Sequence, residues 1–201
     1  MTKIKICGMQ REQDILAANQ ANPDFVGFIF ADFDRHYITE AKARSFKKLL
    51  LPTIKAVGAF VNAPVNEVIR LLNDDVINIA QLHGNEDEAY ISRVMKETGK
   101  PVINATGVKM PTDIDKVRNS CADFILLDAP GGCTGTAFDW SLIKDINRPY
   151  FLAGGINLLN IQTAVRDFQP YSIDLSTGAE TDGQKDPEKM QKLVSLVREA
   201  S

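Results

Sequence analysis

Two side chains stand at predicted strand ends with the chemistry to handle protons. One is Cys7, in Lys5-Ile6-Cys7-Gly8; the other is Asp128, in Leu126-Leu127-Asp128. Thiolate is the reactive form of cysteine, and a loop leading into a helix N-terminus favours it. Cys7 reads equally as a small buried hydrophobe. A carboxylate directly after an apolar strand is costly to bury without a partner. That marks Asp128 as a functional group, or else as a helix cap or loop ion pair. Gln81 and His83, in Gln81-Leu82-His83-Gly84, share a face by strand alternation; His83 otherwise reads as a surface-loop residue. Asp174 is a second strand-end carboxylate. Gly154-Gly155 and Ser176-Thr177-Gly178 each follow a strand, and offer backbone N–H groups and hydroxyls to a phosphate. A thiol, carboxylates and a phosphate cradle are the equipment of cofactor-free acid–base chemistry on a small sugar phosphate.

These residues need a frame that gathers strand ends. Strand-like runs are predicted over Lys3–Cys7, Asp24–Phe30, Ile54–Val61, Ile77–Leu82, Pro101–Ala105, Phe124–Leu127, Tyr150–Ala153 and Tyr171–Leu175. Helix-like stretches lie between them: Arg11–Asn19, Glu40–Leu50 after a Thr39 cap, Asn66–Asn73, Glu86–Thr98, Asp113–Asn119, Trp140–Ile146 and Leu158–Phe168 after an Asn157 cap. Pro187–Ala200 opens with Asp186 as cap and Pro187 at the first helical position. Strand–helix alternation implies parallel strands with helices outside. Eight such units predict an α/β (β/α)8 TIM barrel of the phosphate-binding type, in which the loops after strands 7 and 8 hold the phosphate. The competing architecture, an open doubly wound sheet, needs fewer units.

The 201 residues are short for this fold and read as a single domain, 1–201. A hydrophobic fraction of 44% supports an ordinary core, and the net charge of −3 without a basic run gives nucleic acid no purchase. The first ten residues lack a signal peptide's apolar stretch, and no apolar run reaches the roughly 18 residues of a membrane span. Cys7, Cys121 and Cys133 have no C-x-x-C spacing, which predicts free thiols in the cytoplasm. Cys121 reads as structural. Cys133 reads as incidental within the glycine-rich loop Gly131–Trp140. His36 and His83 are far apart, so no histidine metal site is expected.

From end to end the chain resembles the phosphoribosylanthranilate isomerases. The shared segments are Lys5-Ile6-Cys7-Gly8, Phe25–Phe30, Gln81–Gly84, Leu127-Asp128 with Gly135–Trp140, Leu152–Asn157, Asp174–Glu180 and Gly183–Asp186. The resemblance implies an Amadori rearrangement of N-(5-phosphoribosyl)anthranilate to 1-(2-carboxyphenylamino)-1-deoxyribulose 5-phosphate in tryptophan biosynthesis, without metal or cofactor. It implies that Asp128 is the general acid and Cys7 the general base, and that Asp174, Gln81 and His83 line the substrate. It also implies a monomer. The family's arginine after strand 2, which holds the anthranilate carboxylate, has no plain counterpart in Ala31–Thr39. His36 takes its place if Tyr37-Ile38-Thr39 sets the register; Arg35 takes it if the loop carries an insertion. Arg35 is expected to reach the carboxylate, because a guanidinium binds it through two parallel hydrogen bonds and an imidazole does not. Cys133 stands where the family more often has glycine. The alternatives are another phosphosugar isomerase or epimerase on the same barrel, and a non-catalytic phosphate-binding barrel.

Overall fold

Short, largely apolar runs, most of them buried on both faces, form eight parallel strands. They are β1 (Lys3–Cys7), β2 (Phe25–Ile29), β3 (Lys55–Phe60), β4 (Ile79–Leu82), β5 (Val102–Gly107), β6 (Phe124–Asp128), β7 (Tyr150–Leu152) and β8 (Ser172–Leu175). Each pairs with the next, and β8 pairs back to β1, so the sheet closes into a barrel. The structure is a computed structural model that describes residues 1–130, 137–143 and 146–201. Gly131–Thr136, with Cys133, lies outside the described residues.

The helices are α1 (Glu12–Ala21), α2 (Glu40–Leu49), α3 (Val65–Asn73), α4 (Glu88–Thr98), α5 (Pro111–Arg118), α6 (Ile161–Phe168) and α7 (Pro187–Ala200). Their buried faces and the outward strand residues make the main core, which includes Ile4, Ile6, Val26, Phe28, Leu71 and Leu193. The inward strand residues make a second core inside the barrel. Phe25, Val57, Ile79, Ile103, Leu126 and Phe151 fill it, with Phe124 edge-on to Phe151 at 5.7 Å. This plug makes the interior a solid floor, and the site is built above it, at the C-terminal strand ends.

Thr39 caps α2 by accepting from the Lys42 N–H, and Asp186 caps α7 by accepting from Glu188 and Lys189. The cap of α6 is Asn160, not Asn157. Asn157 is used differently: its side chain and that of Asn160 both donate to the Gly155 carbonyl, at 3.1 and 3.0 Å. The pair braces the loop after β7, and the helix starts three residues later.

Of the helix expected over 140–146, the described residues show one turn of 3₁₀ helix, Trp140–Leu142; 144 and 145 lie outside the described residues. Asp139 caps it through the Ser141 N–H, and Trp140 packs edge-on against Phe168. A stretch this short gains too few hydrogen bonds to repay nucleation, and Pro149 turns Arg148 away from helix.

A hairpin after β8 was absent from the expectation. Strands β9 (Glu180–Thr181) and β10 (Gln184–Lys185) pair antiparallel. Asp182 and Gly183 join them with φ of 52° and 76°. Two successive positive φ values are the type I′ geometry that Asp-Gly favours, so the dipeptide was a readable signal.

Candidate active site

β1 alternates Lys3, Lys5 and Cys7 inward with Ile4 and Ile6 outward. The sulfur of Cys7 sits opposite Gly27 of β2. A Cβ at Gly27 would lie 2.3 Å from that sulfur, so the glycine is the space the thiol occupies. Cys7 faces a cavity of about 370 Å³ at the C-terminal mouth of the barrel. Gln81, His83, Asp128 and Asp174 line the same cavity, as do Gly154, Gly155, Ser176 and Thr177. The residues expected at strand ends are thus brought to one place.

Asp128 ends β6 with one oxygen accepting from the Ala129 N–H at 2.7 Å. His83 Nε2 stands 3.9 Å from the other oxygen, too far for a hydrogen bond. Burial pushes the Asp128 carboxyl up from its ordinary range, and the charge on Asp174 pushes the same way; His83, the Ala129 N–H and Lys5 oppose it. Such a carboxyl holds its proton more tightly than an ordinary aspartate does. Asp174 is buried, with Oδ2 on the Lys5 ammonium at 2.7 Å and Oδ1 without a partner among the described residues.

Cys7 departs from the low value expected of a reactive thiol. Burial pushes its thiol up, and the charges of Lys5 and Lys185 only partly offset this. A strand end is open in sequence, but this sulfur sits in a packed layer with Ile29, Ala31 and Ala59.

The cradle is made by two loops in contact. Gly154 and Gly155 adopt φ of 81° and 64°, a left-handed backbone that glycine tolerates. Gly178 lies so close to the other loop that a Cβ would be 2.0 Å from the Ile156 carbonyl oxygen. Gly178 itself is not part of the cavity wall. Gly178→Ala must push the two loops apart. We expect KM to rise on the order of tenfold with a smaller change in kcat, because uniform binding is what is lost. Steady-state kinetics and inhibition by inorganic phosphate would check this.

Neither Arg35 nor His36 lines the cavity; Phe33 and Asp34 of that loop do. The Arg35 side chain is half-exposed and donates to Glu180 Oε2 at 2.6 Å. His36 is buried, with Nε2 on Glu180 Oε1 at 2.8 Å and Nδ1 3.2 Å from Asp34. Burial works against the charged ring, but hydrogen bonds with Asp34 and Glu180 hold His36 above its ordinary value. Burial works upward on Glu180 too, yet hydrogen bonds from His36 and Lys185 bring it down to about 2. Lys185 also donates to the Ser176 carbonyl and hydroxyl. The hairpin therefore ties the β2 loop to the loop after β8.

Lys5, Glu180 and Lys185 received no role from sequence. For Lys5 the signal was available, since alternation puts a lysine in phase with Cys7 inside the barrel. For Glu180 and Lys185 it lay only in the Asp-Gly turn that pairs them.

A family model described as N-(5'phosphoribosyl)anthranilate (PRA) isomerase matches residues 4–196. An N-(5'-phosphoribosyl)anthranilate isomerase of Endomicrobium trichonymphae is 43% identical over 98% of this chain and 99% of its own length. One from Lacticaseibacillus casei is 39% identical over 99% and 96%. Among solved structures, the phosphoribosyl anthranilate isomerase of Thermotoga maritima superposes with a TM-score of 0.91 at 30% identity, covering 99% of this chain and 100% of that one. Another, solved with reduced 1-(o-carboxyphenylamino)-1-deoxyribulose 5-phosphate bound, superposes with a TM-score of 0.88 at 30% identity, covering 99% and 100%. Agreement along nearly the whole barrel, in sequence and in fold, makes one assignment: the chain belongs to the N-(5'-phosphoribosyl)anthranilate isomerase family.

Proposed function

We infer that the chain catalyses the Amadori rearrangement of N-(5-phosphoribosyl)anthranilate to 1-(2-carboxyphenylamino)-1-deoxyribulose 5-phosphate, a step of tryptophan biosynthesis. The observation that carries the reading is one cavity walled by both a buried thiol and a carboxyl held above its ordinary range, with a glycine cradle beside them.

Asp128 gives its proton to the furanose ring oxygen, and the C1′–O bond breaks to leave a Schiff base. Cys7, as thiolate, takes the proton from C2′, and the electron pair forms the enolamine. Tautomerisation to the ketone completes the step. As written it uses no cofactor. Gly154, Gly155, Ser176 and Thr177 hold the phosphate, and Gly178 lets their two loops meet. The unpartnered Asp174 Oδ1 accepts from a sugar hydroxyl, and Gln81 and His83 add hydrogen bonds. Arg35, half-exposed and on a surface loop, turns from Glu180 to the anthranilate carboxylate. Buried His36 holds that loop in place. Residues 1–201 work as one barrel domain, as a cytoplasmic monomer whose partner is a small phosphorylated molecule and not nucleic acid.

The test is loss of anthranilate fluorescence as freshly made phosphoribosylanthranilate is consumed. Turnover is expected; inactivity with this substrate beside activity on another phosphosugar would sink the assignment. Arg35→Ala is expected to raise KM about ten- to a hundredfold with kcat nearly unchanged. A lost charge-assisted hydrogen bond costs about 1.5–3 kcal/mol, and the loss falls on binding that ground and transition states share. An unchanged KM would remove Arg35 from the substrate.

A further inference from the structure

We propose that Lys5 is the positioning residue of the proton-abstracting base: its ammonium, buried among Asp174, Gln81 and Cys7, holds the thiolate of Cys7 in the wall of the cavity. The proposal rests on the reading of Cys7 as the base.

Lys5 is fully buried, at the level where the apolar plug of the barrel gives way to the reaction cavity. Lysine is rarely buried whole, because removing an ammonium from water costs several kcal/mol that only close partners return. The same space would take a leucine or methionine, as the neighbouring positions do with Phe25, Val57 and Phe151. Lys5 therefore needs a reason beyond packing.

Its three donors supply one. Nζ donates to Asp174 Oδ2 at 2.7 Å and to Gln81 Oε1 at 2.8 Å. Cys7 lies two residues on, along the same inward face of β1, where the Lys5 charge favours its thiolate. Charge around the sulfur comes from few directions. β2 presents Gly27 and no charge. β8 presents the Asp174 carboxylate, which opposes a thiolate. From β10 comes Lys185, which favours one, but its ammonium already serves Glu180 and Ser176. Asp34, His83 and Asp128 line the same cavity. Lys5 is thus the cation that β1 itself sets beside Cys7, on the same inward face. Without it, the sulfur would face an uncompensated Asp174.

A lysine that only fills and ties the barrel would affect stability and leave the thiol's behaviour alone. The experiment reads the thiol itself: the pH dependence of Cys7 alkylation by iodoacetamide, with Cys121→Ser and Cys133→Ser as background. Lys5→Met should slow alkylation about tenfold at a fixed pH below the midpoint, since only thiolate reacts. It should lower kcat more than it raises KM. Lys5→Arg, which keeps the charge, should restore the alkylation profile. Asp174→Asn should move alkylation the other way, toward faster reaction at fixed pH, and keeps the proposal testable if Lys5→Met does not fold. A wild-type alkylation profile in Lys5→Met, or no acceleration in Asp174→Asn, would overturn it. If Cys7→Ala retained full turnover, the base assignment would fail while the alkylation result still stood on its own.

Discussion

Asp128→Asn is expected to lower kcat by roughly 10²–10⁴-fold, the range in which a positioned general acid contributes. KM should stay within about threefold, because asparagine keeps the shape and the oxygen that accepts from the Ala129 N–H. The change removes a proton and little else. The position is prepared for that proton: burial and the neighbouring Asp174 carboxylate both work against ionisation of Asp128. Steady-state kinetics with fluorescence detection would decide it. A variant within tenfold of wild type would mean that ring opening draws its proton from elsewhere, and would return Asp128 to a loop-binding role.

The second large effect is expected at Cys7. Cys7→Ala should lower kcat by on the order of 10³-fold, again with little change in KM. Cys7→Ser should do nearly as badly, because a hydroxyl is far less acidic than a thiol. Stability should fall only modestly, since one sulfur leaves a packed layer beside Ile29, Ala31 and Ala59. Full activity in Cys7→Ala would support the bland reading of this cysteine as a small core residue.

Together the two groups set the pH dependence. On the proposed roles, the working state carries one proton between them, on Asp128. As pH falls, Cys7 acquires its proton and the base is lost. As pH rises, Asp128 loses its own and the acid is lost. The profile of kcat/KM is therefore a bell, and its limbs belong to the pair rather than to either residue. Burial raises both groups, so the bell is displaced to higher pH than ordinary cysteine and aspartate would give. In Asp128→Asn a single rising limb should remain, that of the thiol. A falling limb that survives in Asp128→Asn would assign it to a different acid.

By itself the sequence was enough for the frame. Two-residue alternation and glycine, proline and cap signals are local properties, and they placed β1 at Lys3–Cys7 and α7 at Pro187–Ala200 with no tertiary information. Eight such units in order specify which strands neighbour one another, and so predict that Cys7, Gln81, His83, Asp128 and Asp174 share one end of a barrel. Partners were another matter. Lys5 meets Gln81 and Asp174 across 76 and 169 residues, and Arg35 meets Glu180 across 145. Those contacts exist only because β8 closes onto β1 and the hairpin folds back under the β2 loop. The same closure decided the chemistry of Cys7. A strand end reads as an exposed, reactive place, but desolvation depends on what packs around the sulfur, and that is a sum over the whole barrel. Local spacing determined where the functional groups stand. Tertiary packing decided what each faces, and with it how tightly each holds its proton.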